Sequence, residues 1–231
     1  MAINKTLKVI LVEPAGPINV GSVARLCENF SVHELRLVSP KCDYLAQEAK
    51  KMAVRGLKIL EKAKVYEDLN SALSDCSRII ATCGRKEHGE IPLNSNKDAL
   101  SWVLKSEREE TIALVFGRED RGLSNEELLK ANKVISLNTS EDYPSLNLSH
   151  AVAIVLHQFN QLNDLDLLKH HTKTSSPANL IKLEDCINDA GSLLLDIGFL
   201  MKHTYEARMA KIKKLLIRGC LLYTSPSPRD S

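Results

Sequence analysis

Three stretches of the 231-residue chain group polar, charged and glycine residues in ways that suit chemistry better than packing. The segment Tyr143-Pro144-Ser145-Leu146-Asn147-Leu148-Ser149 sets Ser145, Asn147 and Ser149 at alternate positions just before an apolar run reaching Phe159. One serine could cap a helix by accepting a backbone N–H bond, but three polar side chains exceed that need. The loop leading into them, from Asn138 to Ser145, also carries backbone groups that need partners, which a polar ligand could supply. The second stretch, Phe116-Gly117-Arg118-Glu119-Asp120-Arg121-Gly122-Leu123, brackets four charges between two glycines. Glycine permits close backbone approach or positive φ. A tight charged turn after a parallel strand is where open α/β sheets bind ligands, and an ordinary strand-to-helix turn is the alternative. The third stretch runs from Gly16 to Arg25. It resembles a phosphate loop but has neither G-x-G-x-x-G nor G-x-x-x-x-G-K-[ST] spacing, so neither a dinucleotide fingerprint nor a P-loop is supported. Arg25, six residues after Asn19, suits a surface salt bridge, a phosphate contact or a catalytic role. A weaker fourth signal is Ile79-Ile80-Ala81-Thr82-Cys83-Gly84-Arg85, where small residues leave room for a flat ligand edge.

These stretches sit among short apolar runs that alternate with helical patterns. The runs predict strands at Leu7–Val12, Leu35–Val38, Arg78–Thr82, Thr111–Phe116 and Val134–Leu137. Helices are expected over Val20–Phe30 with Asn19 as cap, over Tyr44–Leu60, Ser124–Ala131 and Leu146–Leu162. Continuous apolar strands separated by helices imply an α/β fold, a parallel sheet with helices on both faces. Each of the three stretches follows a strand.

Composition is that of an ordinary globular protein, with 44% hydrophobic and 26% charged residues. Net charge is only +2, so nucleic-acid binding would need local clusters of Lys and Arg. Lys50, Lys51, Arg55 and Lys58 form one such cluster. No apolar run approaches the roughly 20 residues of a membrane span, and the N-terminus reads as a strand and not a signal peptide. The six cysteines contain no C-x-x-C pair, which argues against zinc and for reduced thiols in a cytoplasmic protein.

The organisation expected is a first domain over 1–164, a linker over 165–178, a helical extension over 179–219 and a tail over 220–231. The extension carries Lys211, Lys213 and Lys214 in a basic run that is either a solvated face or a phosphate-contacting helix. It looks cut short, and the tail, Cys-Leu-Leu-Tyr-Thr-Ser-Pro-Ser-Pro-Arg-Asp-Ser, reads as translated vector or adaptor sequence.

Taken in order, the motifs resemble those of the SpoU branch of the SPOUT RNA methyltransferases. N-x-G-x-x-A-R matches Asn19 to Arg25, F-G-x-E-x-x-G-L matches Phe116 to Leu123, and S-L-N-x-S matches Ser145 to Ser149. Within that branch the likeness is greatest to enzymes acting on cytidine or uridine at the first nucleotide of the tRNA anticodon loop, nucleotide 32. The resemblance implies a C-terminal deep trefoil knot, a homodimer, S-adenosylmethionine as cofactor and tRNA as substrate, with no metal and no membrane. It implies cofactor contacts at Thr82, Cys83, Gly84, Gly117, Leu137, Pro144, Ser145 and Leu146. It assigns catalysis to Asn19 and Arg25, supported by Glu119 and Asn147, and RNA contact to Arg85 beside Lys211, Lys213 and Lys214. The reaction implied is methyl transfer to a ribose 2′-hydroxyl, which is a poor nucleophile until its proton leaves. Arg25 would polarise or deprotonate that hydroxyl. Because a guanidinium pKa lies above ~12, gripping a neighbouring phosphate while water takes the proton is the other role open to it. Glu87 stands where the subgroup often has a second arginine. Other readings are methylation at another tRNA site or in ribosomal RNA, and a knotted RNA-binding protein without catalysis.

Overall fold

The apolar runs become strands of a six-stranded sheet in a computed structural model, which describes residues 6–84, 91–105, 110–137, 139–140, 142–143, 145–166 and 180–218. The strands are β1 (Thr6–Val12), β2 (Glu34–Val38), β3 (Lys64–Tyr66), β4 (Arg78–Thr82), β5 (Thr111–Phe116) and β6 (Lys133–Ile135). Their order across the sheet is β3-β2-β1-β5-β4-β6, and every pairing is parallel. The direction of winding reverses between β1 and β5, where open sheets leave a crevice beyond their carboxyl ends. Leu11 pairs with Phe116, so the segments following β1 and β5 leave the sheet side by side.

Strand side chains alternate between two buried clusters, as a period of two requires. Leu7, Val9 and Leu11 of β1 face one cluster, while Ile10 and Val12 face the other. The first cluster is covered by α1 (Pro17–Asn29), α2 (Gln47–Ala53), α3 (Leu57–Glu61), α5 (Asn96–Leu104) and α7 (Leu148–Asp166). The second is covered by α4 (Leu69–Leu73) and α6 (Asn125–Leu129). Helices therefore cover both faces, as the continuous apolar strands predict. Beyond α7, α8 (Leu180–Asp196) and α9 (Tyr205–Arg218) build a separate small core around Ile187, Leu200 and Met209.

Several elements differ from the sequence expectation. Helix α1 starts at Pro17 with Gly16 as its N-cap, so Asn19 lies inside the first turn and is not the cap. Proline suits that first position because its missing N–H would have no partner there. The helix expected over Tyr44–Leu60 breaks after Ala53 into a 3-10 turn, Val54–Gly56, and then α3. The break wraps the segment tightly on α1. A Cβ on Gly21 would fall 2.1 Å from the Ala49 carbonyl oxygen, and one on Gly56 would fall 2.4 Å from that of Ala24. Val54 takes the left-handed φ of 49° at the break, an uncommon conformation for a β-branched residue. The helical stretch near the C-terminus likewise breaks between α8 and α9, where Gly198 has φ +74°. The edge strand β3 and helices α4 and α5 have no counterpart in the sequence reading. Helix α7 runs to Asp166, and the rest of the expected linker and the tail lie outside the described residues.

Candidate active site

The turn after β5 is built by its glycines. Arg118 and Gly122 exchange backbone bonds of 3.4 and 3.0 Å, and Gly122 has φ +68°. A Cβ on Gly117 would lie 2.3 Å from backbone atoms of Gly122 and Leu123. The turn projects Glu119 onto the loop after β1. There its carboxylate accepts the Ala15 N–H at 3.1 Å, the Gly16 N–H at 3.2 Å and the Asn19 side-chain N–H at 3.2 Å. Glu119 is thereby engaged as a fixed acceptor that holds the start of α1.

The Asn19 amide oxygen in turn accepts a 2.9 Å bond from Asn147 Nδ2. Asn147 Oδ1 accepts from the Ser149 N–H at 2.9 Å and from the Ser149 hydroxyl at 2.7 Å. Asn147 thus caps α7 with its oxygen and holds Asn19 with its nitrogen. This accounts for two of the three polar residues at alternate positions, since one amide serves the helix end and the site together. Three segments remote in sequence meet through this line of side chains, Glu119 to Asn19 to Asn147.

Beside it lies a cleft beyond the carboxyl ends of β4, β5 and β6. Ser145, the third of those polar residues, lines the cleft together with Thr82, Cys83, Gly84, Gly117, Leu137 and Leu146. These are seven of the eight residues expected to hold a cofactor; the eighth, Pro144, lies outside the described residues. Phe116, Leu148 and Ala151 add apolar wall, and a Cβ on Gly84 would meet nothing within 4 Å. Small residues and apolar wall, with the charged residues Arg118 to Arg121 on one side, suit an amphipathic nucleoside such as S-adenosylmethionine.

The remaining expected residues are not gathered with this cluster. Arg25 is exposed on α1, six residues on and about 120° round the helix axis from Asn19, and is absent from the cleft lining. Lys213 is tied to Glu184 by a 2.8 Å ion pair, whereas Lys211 is exposed and Lys214 half-buried. The three lysines therefore do not share one free face. Arg85 lies outside the described residues. Lys50, Lys51, Arg55 and Lys58 are all exposed, and none makes an ion pair among the described residues. Gly56 packs on the Ala24–Arg25 backbone, which sets this basic ridge beside Arg25.

The sequence reading missed an ion cluster under the turn. Arg118 binds Glu13 through Nε and Nη2 at 2.8 and 2.9 Å, and Glu127 through Nη1 and Nη2, both at 2.9 Å. The Arg118 guanidinium holds the Glu13 carboxyl below the usual carboxylate range. Burial pushes Glu127 up, but Arg118 and the Ser124 N–H outweigh it and leave the group lowered. Glu127 had a local signal, since Ser124 and Glu127 form a capping box. Glu13 had none, because its partner lies 105 residues away. Burial, with Glu119 adding, pushes the Cys42 thiol up, which leaves it a poor nucleophile. Among the described residues there is no group of His, Cys, Asp and Glu that could hold a metal, and no helix long and apolar enough to cross a membrane.

A parallel α/β sheet with a cleft at its carboxyl edge, framed by these three motifs, defines a SPOUT-type methyltransferase domain. Residues 6–157 match the SpoU rRNA Methylase family, and the chain belongs to that family. It is 33% identical over 217 residues to a tRNA (cytidine-2′-O-)-methyltransferase TrmJ of Sulfolobus acidocaldarius, covering 93% of this chain and 86% of that protein. It is 42% identical over 156 residues to the Methanocaldococcus jannaschii protein of the same name, covering 66% of each chain. The crystal structure of TrmJ from Z. mobilis ZM4 superposes with a TM-score of 0.76 at 25% identity, covering 93% of this chain and 92% of that one.

Proposed function

We propose that this chain methylates a ribose 2′-hydroxyl of tRNA, at the cytidine or uridine that begins the anticodon loop, using S-adenosylmethionine. The observation that carries the reading is the bonded line Glu119–Asn19–Asn147 beside a cleft lined by every described residue expected to hold the cofactor. The tRNA substrates named for the Sulfolobus and Methanocaldococcus relatives support tRNA. Thr82, Cys83, Gly84 and Leu137 would hold the nucleoside, with Gly117, Pro144, Ser145 and Leu146 closing round the methionine part. When bound, S-adenosylmethionine supplies a methyl group already activated on a sulfonium, so the protein's task is alignment and a route for the hydroxyl proton. Glu119 holds the loop and Asn19, and Asn147 fixes the Asn19 amide. Arg25, whose guanidinium offers donors and no acceptor, grips the phosphate beside the target ribose, and water takes the proton.

In this reading the RNA backbone lies along Lys50, Lys51, Arg55 and Lys58, which lead to Arg25, and Lys211 and Arg85 add outlying contacts. Two copies pair through exposed apolar residues of α1, α2 and α7, among them Ile18, Met52 and Ile154. The segment from β6 through α7 forms the trefoil knot. Residues 1–164 make the methyltransferase domain, 165–178 a linker and 179–219 a helical extension, and the enzyme works in the cytoplasm. The family's description as ribosomal RNA methylases favours ribosomal RNA as the second reading. Incubating the protein with unmodified tRNA and ribosomal RNA and mapping the methylated nucleotide separates the two. Cofactor binding without transfer to either RNA would point to a knotted RNA-binding protein.

A further inference from the structure

We propose that Arg118 is a positioning residue for methyl transfer: it locks the turn after β5 to the end of β1, and so aims Glu119 at the loop that carries Asn19. The inference rests on the methyltransferase reading and adds a residue to it. All five guanidinium N–H groups of Arg118 are committed. Two go to Glu13, two to Glu127, and the fifth reaches the Gly122 carbonyl at 3.3 Å. No donor is left for a ligand, so Arg118 acts through its neighbours.

The sheet register explains the pairing. Leu11 pairs with Phe116, and Glu13 and Arg118 each follow two residues later, just past the ends of the adjacent strands β1 and β5. Glu13 holds φ 46°, a conformation that is uncommon for a non-glycine residue, while its N–H donates to the Val38 carbonyl at 2.7 Å. Arg118 therefore fastens the residue where β1 turns into the first motif. The adjacent Glu119 fastens the next turn of that loop through Ala15, Gly16 and Asn19. Glu127 anchors the other side of the guanidinium to the capping box of α6. Two consecutive side chains thus staple one motif to another. The arrangement needs a planar fork, which lysine does not provide.

The test compares wild type with Arg118→Lys, Arg118→Gln, Glu13→Gln and the Arg118→Gln/Glu13→Gln pair in the full chain. We expect both Arg118 variants to lower kcat roughly 10- to 100-fold, with S-adenosylmethionine Kd changed less than about threefold. The double variant should fall little below Arg118→Gln, because the two groups act as one unit. Hydrogen exchange at the Ala15 and Gly16 amides should quicken in the Arg118 variants below their melting temperature. Wild-type kcat in either Arg118 variant, additive losses in the pair, or unchanged exchange at Ala15 and Gly16 would overturn the inference. If Arg118→Gln does not fold, Arg118→Lys and Glu13→Gln decide by the same readouts. Absence of methyl transfer in the wild type would instead overturn the methyltransferase reading, and the exchange measurement would still judge the staple.

Discussion

Asn147 donates its side-chain N–H to the Asn19 amide oxygen at 2.9 Å, across 128 residues of sequence. The same Asn147 side chain caps α7 through its oxygen. One amide therefore ties the last helix of the domain to the first, and the pair meets Glu119 from the central turn. The site is a junction of three chain segments, and its geometry depends on bonds between them.

Replacing either asparagine separates the two duties of this junction. Asn147→Ala loses both the cap, worth about 1 kcal/mol, and the link to Asn19. Asn19→Ala loses the link and the bond to Glu119 but leaves the α7 cap in place. Both should lower kcat roughly tenfold or more, while only Asn147→Ala lowers Tm appreciably. Steady-state kinetics alongside thermal unfolding checks the split; equal Tm losses would contradict it.

The close approach of α1 to α2 should be intolerant of any side chain. A Cβ at Gly21 would stand 2.1 Å from the Ala49 oxygen and 2.8 Å from its carbonyl carbon and Cα, all of them backbone atoms. Gly21→Ala should destabilise by about 1–3 kcal/mol as the helices part. A Cβ at Gly84 meets nothing within 4 Å, so Gly84→Ala should leave Tm almost unchanged. Denaturant titration of the two variants tests the contrast.

Acid should expose a second ion cluster, on the sheet face opposite α1. Asp75 bonds Arg36 at 2.7 and 2.8 Å and Lys8 at 2.6 Å. The Arg36 guanidinium holds the Asp75 carboxyl well below its ordinary value of 3.8. A lowered carboxyl stabilises the fold above its unfolded pKa, and the gain is lost as pH falls toward the folded pKa. Asp75→Asn should therefore cost stability at neutral pH, with the difference from wild type shrinking below pH 3.8. Tm measured from pH 7 to pH 3 reads this directly.

The two basic surfaces should respond differently to charge reversal. Lys51→Glu or Arg55→Glu should raise KM for tRNA and flatten its salt dependence by about 0.7–0.9 per lost phosphate contact. S-adenosylmethionine affinity should stay as it is. Lys213→Glu would set an acid against Glu184, so its main effect should be on stability. Binding titrations at several salt concentrations distinguish the surfaces.

The sheet is legible where strands are continuous apolar runs, as in Thr111–Phe116, where the run and the strand share their bounds. It was not legible at β3, whose Lys64, Val65 and Tyr66 form a short, mostly exposed edge with no apolar run. The helix expected across Val54 failed because contact with α1, not local propensity, sets the bend there. At the site, the family resemblance singles out Asn19, Glu119 and Asn147, and the structure brings them into contact. In the sequence Arg118 is only one of four charges in a turn. Its role depends on the β1–β5 register, which no local pattern encodes.

The most direct test is transfer of labelled methyl from S-adenosylmethionine to unmodified tRNA transcripts by wild type, Asn19→Ala and Arg25→Ala, with the labelled nucleotide mapped. The account predicts label on an anticodon-loop ribose 2′-oxygen with wild type, and little or none with either variant. A wild-type protein that neither binds S-adenosylmethionine nor labels any RNA would contradict it.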